Sequence, residues 1–168
     1  MWASKKQRGD IKGRIAGIDF MLKICEKSQE YSSKIFLYGG NIEISEKAKK
    51  ELEKKYPNIN IVGICDGYVD EADALKQIQK SNPDILFVGL GSPKQEEFII
   101  KHKDKFKNIK IIMPIGGSLD VISNTKKRAP NWAIKFNLEW LYRLIKEPKR
   151  IFRQVKLLKF IWLVNKKM

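Results

Sequence analysis

Four short apolar runs, each ending in glycine or a turn, divide the first part of the chain. They are rich in Ile, Val, Leu and Phe and show no alternation of polar and apolar residues, a pattern typical of strands buried on both faces of a sheet. The runs are KIFLYGG (34–40), INIVGICDGY (59–68), DILFVGLGSP (84–93) and IKIIMPIGGS (109–118). The pattern therefore predicts four buried strands.

Helical patterns lie between these runs, and each follows a residue that can cap a helix N-terminus. The predicted caps are Ser45, Asp70 and Ser92, which precede EKAKKELEKKY, EADALKQIQK and PKQEEFIIKHK. Strands that alternate with helices favour an α/β fold with an open, mainly parallel sheet flanked by helices. In such sheets ligands bind beyond the carboxyl ends of the strands. We therefore expect four loops to share one rim, namely Gly39-Gly40, Gly67-Tyr68, Gly89 to Ser92 and Gly116-Gly117-Ser118.

The C-terminal quarter has a different pattern. NWAIKFNLEWLYRLIK (131–146) and RIFRQVKLLKFIWLV (150–164) have helical periodicity, with Pro148 between them. We predict a basic amphipathic helical appendage at residues 131–168, following an α/β core at residues 1–130. Between Lys126 and Met168 there are 13 basic and two acidic residues, so this end carries most of the net charge of +15. Such a segment favours an acidic partner, either nucleic acid, an anionic membrane surface or a phosphorylated ligand, and composition leaves the three open.

The chain shows no membrane-spanning or secretory pattern. The late apolar stretch LLKFIWLV (157–164) contains Lys159 and is far shorter than the ~20 residues needed to span a bilayer. No early apolar run follows the Lys5, Lys6 and Arg8 cluster, so a signal peptide is not expected. Cys25 and Cys65 lack the spacing of a metal site or redox pair, which indicates free buried thiols in a reducing cytosol.

No cofactor is predicted. Gly89-Leu90-Gly91 follows a strand, but the third glycine of a dinucleotide fingerprint is replaced by Lys94, which argues against nicotinamide or flavin binding. The chain contains no GxxxxGK[ST] sequence, and no Asp-x-Asp pair that could hold a divalent metal. The single histidine, His102, lies among lysines and is predicted to be a surface residue.

The stretch GSPKQEE supports two interpretations. Ser92 fits an N-cap, Pro93 the first helical position and Gln95 the third, which together form a capping box. Alternatively, the helix N-terminus offers N–H groups to a phosphate or sugar, and Gln95 projects towards that ligand. Glu96 and Glu97 point about 100° apart on a helix, so at least one of them is predicted to be solvated.

Three further stretches belong together by their order and spacing: VGLGSPKQEEFI (88–99), PIGGSLDVISNTKKRAPNW (114–132) and LEWLYRLIKEPKRIFRQ (138–154). They resemble the WecG/TagA/CpsF family of bacterial glycosyltransferases, and GRIAGIDFM (13–21) is similar to a segment of that family as well. The resemblance implies a Rossmann-like α/β domain, with a basic C-terminal appendage that closes over the active site and binds the membrane.

The resemblance also implies an activity. It is the transfer, with inversion, of an N-acetylmannosamine-type sugar from a UDP donor to undecaprenyl-diphosphate-linked N-acetylglucosamine. The enzyme would be peripheral on the inner face of the cell membrane, in wall teichoic acid or surface polysaccharide synthesis. The implied partners are the UDP-sugar, the polyprenyl-linked acceptor and an anionic membrane surface, with no nucleic acid.

Site residues follow from the resemblance by position. It implies that Gln95 and Arg14 are catalytic, near the transferred sugar, that Tyr68 contacts the uracil and that Asp120 binds the nucleoside. Arginines can neutralise the charge on a leaving UDP without a metal. The remaining substrate-binding residues are the rim glycines Gly39, Gly40, Gly116 and Gly117 and the appendage arginines Arg143, Arg150 and Arg153.

One part of the family pattern has no match here. Family members begin well before Trp2-Ala3-Ser4 and carry an Asp-Gly motif whose aspartate is the proposed general base, which inverting transfer requires. We therefore expect this chain to keep the nucleotide-binding rim but to show little transferase activity, and to expose a sheet edge that favours homo-oligomers. The alternative is a non-catalytic α/β module whose basic end binds anionic lipid or nucleic acid.

Overall fold

The computed structural model of the chain describes residues 15–130 together with residues 133, 141, 142, 144, 162, 164 and 165. One of its two compact units spans Ile15–Lys127, and the other is made of the remaining residues. The seven described residues beyond residue 130 are all helical. The rest of the predicted appendage lies outside the described residues, so its boundary at residue 130 stays a prediction.

Helices and strands alternate through the unit Ile15–Lys127. In chain order they are α1 (Gly17–Ser28), β1 (Lys34–Gly39), α2 (Ile42–Lys55), β2 (Asn60–Cys65), α3 (Glu71–Ser81), β3 (Ile85–Gly89), α4 (Lys94–His102), β4 (Ile111–Pro114) and α5 (Ser118–Ile122). One-turn 3-10 segments follow α1 at Gln29–Tyr31 and α4 at Lys103–Phe106. The four predicted strands are confirmed, whereas α1 was not anticipated.

The strands form a parallel sheet in the order β2-β1-β3-β4. The predicted α/β class and parallel sheet are confirmed. The chain passes from β1 to β2 on one side and then returns across β1 to β3, so the winding direction changes between β1 and β3. This switch point is where open α/β sheets bind their ligands.

Apolar side chains cover both faces of the sheet. On one face α1, α2 and α5 pack against Ile35, Leu37 and Phe87, and on the other α3 and α4 pack against Phe36 and Leu86. The central strands β1 and β3 are buried nearly throughout, which explains their continuous apolar runs. The prediction of full burial is wrong for β2 and β4, because they are edge strands and most of their residues are partly exposed.

The helix starts agree only in part with the predicted caps. Asp70 caps α3, and its carboxylate accepts a hydrogen bond from the Ala72 N–H at 3.4 Å. Ser45 is not the cap of α2. The helix begins at Ile42, and its cap is Asn41, whose side-chain oxygen accepts a hydrogen bond from the Ile44 N–H at 2.8 Å. Ser45 instead lies buried inside α2, where its Oγ donates to the Gly39 carbonyl at 2.6 Å.

His102 corrects a further prediction. It is only 7% exposed, not a surface residue, and it packs against Phe98 and Phe106. Its neighbouring lysines are close in sequence, but the histidine lies on the inner side of α4 and contacts Glu71 at the start of α3. Cys25 and Cys65 are buried free thiols, as predicted.

Nothing in the described part of the chain forms a helix with the length and apolar character required to cross a bilayer.

Candidate functional site

The carboxyl ends of the four strands bring the predicted loops together. Gly39 and Gly89 are directly paired across β1 and β3, and the Gly67 N–H donates to the Gly40 carbonyl at 2.8 Å. The loop after β4 joins them through the Ile115 N–H, which donates to the Val88 carbonyl at 2.8 Å. We call this edge the rim: Gly39-Gly40, Gly67-Tyr68, Gly89 to Ser92 and Gly116 to Ser118.

The rim is built from backbone packed closely on backbone. A Cβ added to Gly67 would lie 3.0 Å from the Gly39 Cα, and one added to Gly89 would lie 3.0 Å from the Gly116 carbonyl oxygen. Side chains at these positions would push the loops apart. The rim therefore depends on glycine and presents main-chain groups at the switch point.

Gln95 lies on the first turn of α4 and is only 6% exposed. Its Oε1 accepts a hydrogen bond from the Gly116 N–H at 2.9 Å, and its Nε2 donates to Glu96 Oε1 at 2.8 Å. Because a backbone N–H can only donate, the contact with Gly116 determines which way the Gln95 amide is turned. Gln95 thus joins the start of α4 to the loop after β4.

The predicted capping box is absent from α4. This helix begins at Lys94 with Pro93 at its N-cap, no side-chain hydrogen bond caps it, and Ser92 is exposed. The Gln95 side chain faces the rim instead, where it satisfies the Gly116 N–H, a group that needs an acceptor when it is buried. The ligand-directed interpretation of Gln95 stays a prediction.

Glu96 follows Gln95 and is partly buried. Its Oε1 accepts from Gln95, but its Oε2 is buried and has no hydrogen-bond partner within the part of the chain that the structure describes. Glu97 is exposed, which agrees with the prediction that at least one of the two is solvated. Sequence reasoning assigned Glu96 no role, since its burial depends on tertiary contacts that no local pattern reveals.

Tyr68 extends from the loop after β2 and is 86% exposed. Its N–H donates to Asp66 Oδ1 at 2.7 Å, while Asp66 Oδ2 accepts from the Ile42 N–H at 3.1 Å. Asp66 therefore holds the β2 loop against the start of α2. It was missed at the sequence level, although an aspartate before glycine after a strand is a typical turn signal.

Asp120 lies on the first turn of α5, beside the rim. Its Oδ1 is 3.6 Å from the Lys126 Nζ, and a Cβ on Gly117 would lie 3.1 Å from its Oδ2. Its backbone carbonyl also accepts from the Lys126 N–H at 2.8 Å. The other predicted site residues, Arg14, Arg143, Arg150 and Arg153, lie outside the described residues.

Two titratable side chains lie directly beneath the rim. Burial, as the main cause, raises the pKa of Tyr38, the residue before Gly39, to about 12. Burial likewise raises the pKa of the Cys65 thiol at the end of β2 to about 11. The Tyr38 hydroxyl and the Cys65 thiol are therefore neutral near pH 7, and neither adds a negative charge beside the rim.

The sequence matches the model of the glycosyl transferase WecG/TagA/CpsF family over residues 1–168. The chain belongs to this family. The predicted resemblance is thereby confirmed. Two of the stretches that resemble the WecG/TagA/CpsF family are residues 88–99 and 114–132. They are separate in sequence, and the hydrogen bond between Gln95 and Gly116 joins them in the fold.

Relatives in the family include three proteins named N-acetylglucosaminyldiphosphoundecaprenol N-acetyl-beta-D-mannosaminyltransferase. The one from Bacillus subtilis (strain 168) is 39% identical over 164 residues, covering 97% of this chain and 64% of the relative. The Staphylococcus aureus (strain MRSA252) protein is 38% identical, with 98% and 65% covered. The Bacillus spizizenii (strain ATCC 23059 / NRRL B-14472 / W23) protein is 36% identical, with 93% and 61% covered. The chain thus spans less than two thirds of the length of these relatives.

Proposed function

We propose that this chain is part of a glycosyltransferase and binds a UDP-sugar at the rim. The enzyme would transfer the sugar with inversion of configuration at the anomeric carbon. The transferred group would be an N-acetylmannosamine-type sugar, and the acceptor undecaprenyl-diphosphate-linked N-acetylglucosamine. The proposal is carried by the Gln95–Gly116 bond, which joins two family stretches at the carboxyl ends of β3 and β4, beside the switch point between β1 and β3. The names of the relatives support the transferred sugar and the acceptor.

The nucleotide would lie across the glycine loops. The loops at Gly39, Gly40, Gly116 and Gly117 would present main-chain groups to the diphosphate or sugar, and at Gly116 a Cβ would meet nothing within 4 Å, which leaves room for close approach. Tyr68 would stack on the uracil, a role that suits its exposed ring. Asp120 would accept hydrogen bonds from the nucleoside, from its place beside Gly117.

The reaction would be a single displacement at the anomeric carbon. The acceptor hydroxyl oxygen forms the new bond, the bond to UDP breaks, and its electron pair passes to the β-phosphate oxygen of UDP. Cationic side chains would stabilise that charge. By family resemblance these are Arg143, Arg150 and Arg153, with Arg14 near the sugar, and all four lie outside the described residues. The acceptor proton requires a general base, and we assign that role to no residue of this chain.

The proposed setting is the inner face of the cell membrane, in wall teichoic acid or surface polysaccharide synthesis. A polyprenyl-linked acceptor stays in the bilayer, so the enzyme must work at its surface. The 13 basic residues against two acidic ones between Lys126 and Met168 support attraction to anionic lipid. The exposed edge strands support a homo-oligomer.

Calorimetric titration of the 168-residue chain with UDP tests the proposal. Replacement of Tyr68 by Ala should weaken UDP binding at least about fivefold, because stacking on a base contributes on the order of 1–3 kcal/mol. Tyr31→Ala is the matched control, because Tyr31 is 78% exposed but precedes β1 at the opposite end of the strand from the rim. Failure of the unaltered chain to bind UDP, or equal loss in both variants, would contradict the proposal.

The concentration of basic residues in the C-terminal quarter also favours a second candidate, a non-catalytic module that binds anionic lipid or nucleic acid. In that case single Ala substitutions at Arg143, Arg150 and Arg153 should weaken binding to single-stranded nucleic acid about equally, with a steep dependence on salt. A glycosyltransferase predicts instead that these variants lose affinity for UDP more than for lipid vesicles.

A further inference from the structure

Glu96 has one carboxylate oxygen in use and one without a partner. Oε1 accepts a hydrogen bond from Gln95, whereas the buried Oε2 accepts none from any residue that the structure describes. Asp66, another carboxylate near the rim, differs in this respect, because each of its two oxygens accepts a backbone N–H bond.

A buried carboxylate oxygen needs a donor, because it has given up its hydration without replacing it. The penalty is larger for a charged group than for a neutral one. Native proteins keep few such atoms, and each of them calls for an explanation, such as a catalytic role or a bound water or ion. Since Glu96 contacts Gln95, and Gln95 contacts Gly116, a ligand held at the rim next to Gln95 would lie near Oε2 and would supply the donor by displacing the groups that now bury this oxygen.

We propose that Glu96 is a further substrate-binding residue, whose Oε2 accepts a hydrogen bond from a hydroxyl or amide N–H of the sugar moiety of the nucleotide sugar. This inference rests on the proposed function. It extends that function by naming the part of the substrate that lies against the first turn of α4.

The orientation of Gln95 supports a sugar rather than a phosphate at this position. Gln95 Oε1 accepts from the Gly116 N–H and one Nε2 proton is donated to Glu96, so the second Nε2 proton is the donor that the side chain still has to offer. Gln95 and Glu96 then present one donor and one acceptor side by side. A sugar hydroxyl or an acetamido group both donates and accepts, whereas a diphosphate only accepts and is repelled by the Glu96 carboxylate.

The test compares UDP with UDP-N-acetylmannosamine as ligands of the 168-residue chain, by calorimetric titration. Glu96→Gln removes the charge and half of the acceptor capacity while it keeps the shape of the side chain. We expect it to weaken binding of the sugar nucleotide on the order of 10- to 100-fold, as for loss of a hydrogen bond to a charged group, and to change UDP binding less than about twofold. Glu97→Gln, at the exposed neighbouring position, should change neither.

Each outcome bears on one proposal. If the unaltered chain binds neither ligand, the proposed function fails. If it binds both and Glu96→Gln binds both equally well, the role of Glu96 is overturned while the proposed function stands. Equal weakening towards both ligands would also overturn it, since that result indicates a structural role. If Glu96→Gln does not fold, Glu96→Asp keeps the charge but withdraws the carboxylate by one methylene, and it should show the same selective loss.

Discussion

Gly39 and Gly89 face each other at the carboxyl ends of β1 and β3, so closely that a Cβ on Gly39 would lie 2.4 Å from the carbonyl carbon of Gly89. Gly39 also has a φ of +135°, which side chains of L residues rarely adopt. The contact lies at the switch point of the sheet. The two central strands can therefore end side by side only because Gly39 carries no side chain.

Gly39→Ala should destabilise the chain by about 3 kcal/mol or more, because a backbone clash adds to backbone strain. Gly91→Ala is the matched control. Gly91 also has a positive φ, of +78°, but a Cβ there meets nothing within 4 Å, so strain alone should cost about 1 kcal/mol. Urea unfolding of the two variants checks the difference, and equal losses would show that the contact between Gly39 and Gly89 is not tight.

The two differently capped helices α2 and α4 give a second prediction. Asn41→Ala removes the side-chain oxygen that accepts from the Ile44 N–H at 2.8 Å, and it should lower the free energy of unfolding by about 1 kcal/mol. Ser92→Ala should lower it by less than about 0.5 kcal/mol, because Ser92 is exposed and does not cap α4. Thermal unfolding of both variants measures the difference. A larger loss of unfolding free energy for Ser92→Ala than for Asn41→Ala would show that Ser92 does cap α4.

The strands were predictable because their signal is local. Each strand is a short apolar run that ends in a turn, and the α/β alternation then restricts the sheet to a parallel one. The burial of each strand was not predictable, since it depends on strand order. The runs at 59–68 and 109–118 resemble the other two in sequence, yet β2 and β4 lie at the edges.

The candidate site was predictable in position but not in its contacts. Parallel strands bring their carboxyl ends to one edge, so the glycine loops could be placed together from topology alone. The hydrogen-bond partner of Gln95 was not predictable. Gly116 lies 21 residues further along the chain, and its N–H binds the Gln95 side chain in place of the local helix cap. The same is true of Glu96, whose Oε2 is buried by tertiary packing that no local pattern reveals, and of His102, which packs inside although lysines surround it in sequence.

The two thiols should be protected from reagents in the native state. Cys25 and Cys65 are buried, and burial, as the main cause, raises the pKa of Cys25 to about 12. Near pH 8 neither forms much of the reactive thiolate. A thiol-reactive chromogenic disulfide should therefore label neither in buffer and both in urea. Labelling in buffer that is faster than global unfolding would show that α1 or β2 opens locally.

Asp84 gives the stability a defined pH dependence. It precedes β3, and its carboxylate accepts from the Lys110 ammonium at 2.8 Å and from the Lys34 N–H at 2.9 Å, so it ties together the starts of β1, β3 and β4. The hydrogen bond from Lys110, and then that from Lys34, lowers the pKa of Asp84 below its ordinary value. The folded chain therefore holds this proton less tightly than the unfolded chain does.

The sign of the effect follows from that difference. A carboxylate with a lowered folded-state pKa stabilises the fold above its unfolded pKa of about 3.9, and this contribution is lost as the pH falls through the folded value. Asp84→Asn should thus be less stable than the unaltered chain above about pH 5, and the gap should close towards about pH 2. Urea unfolding between these pH values measures the gap. Lys110→Met, which removes only the main cause of the lowered pKa, should reduce the pH dependence without abolishing it, because the Lys34 N–H remains. A gap that stays constant with pH would show that Asp84 acts through its shape alone.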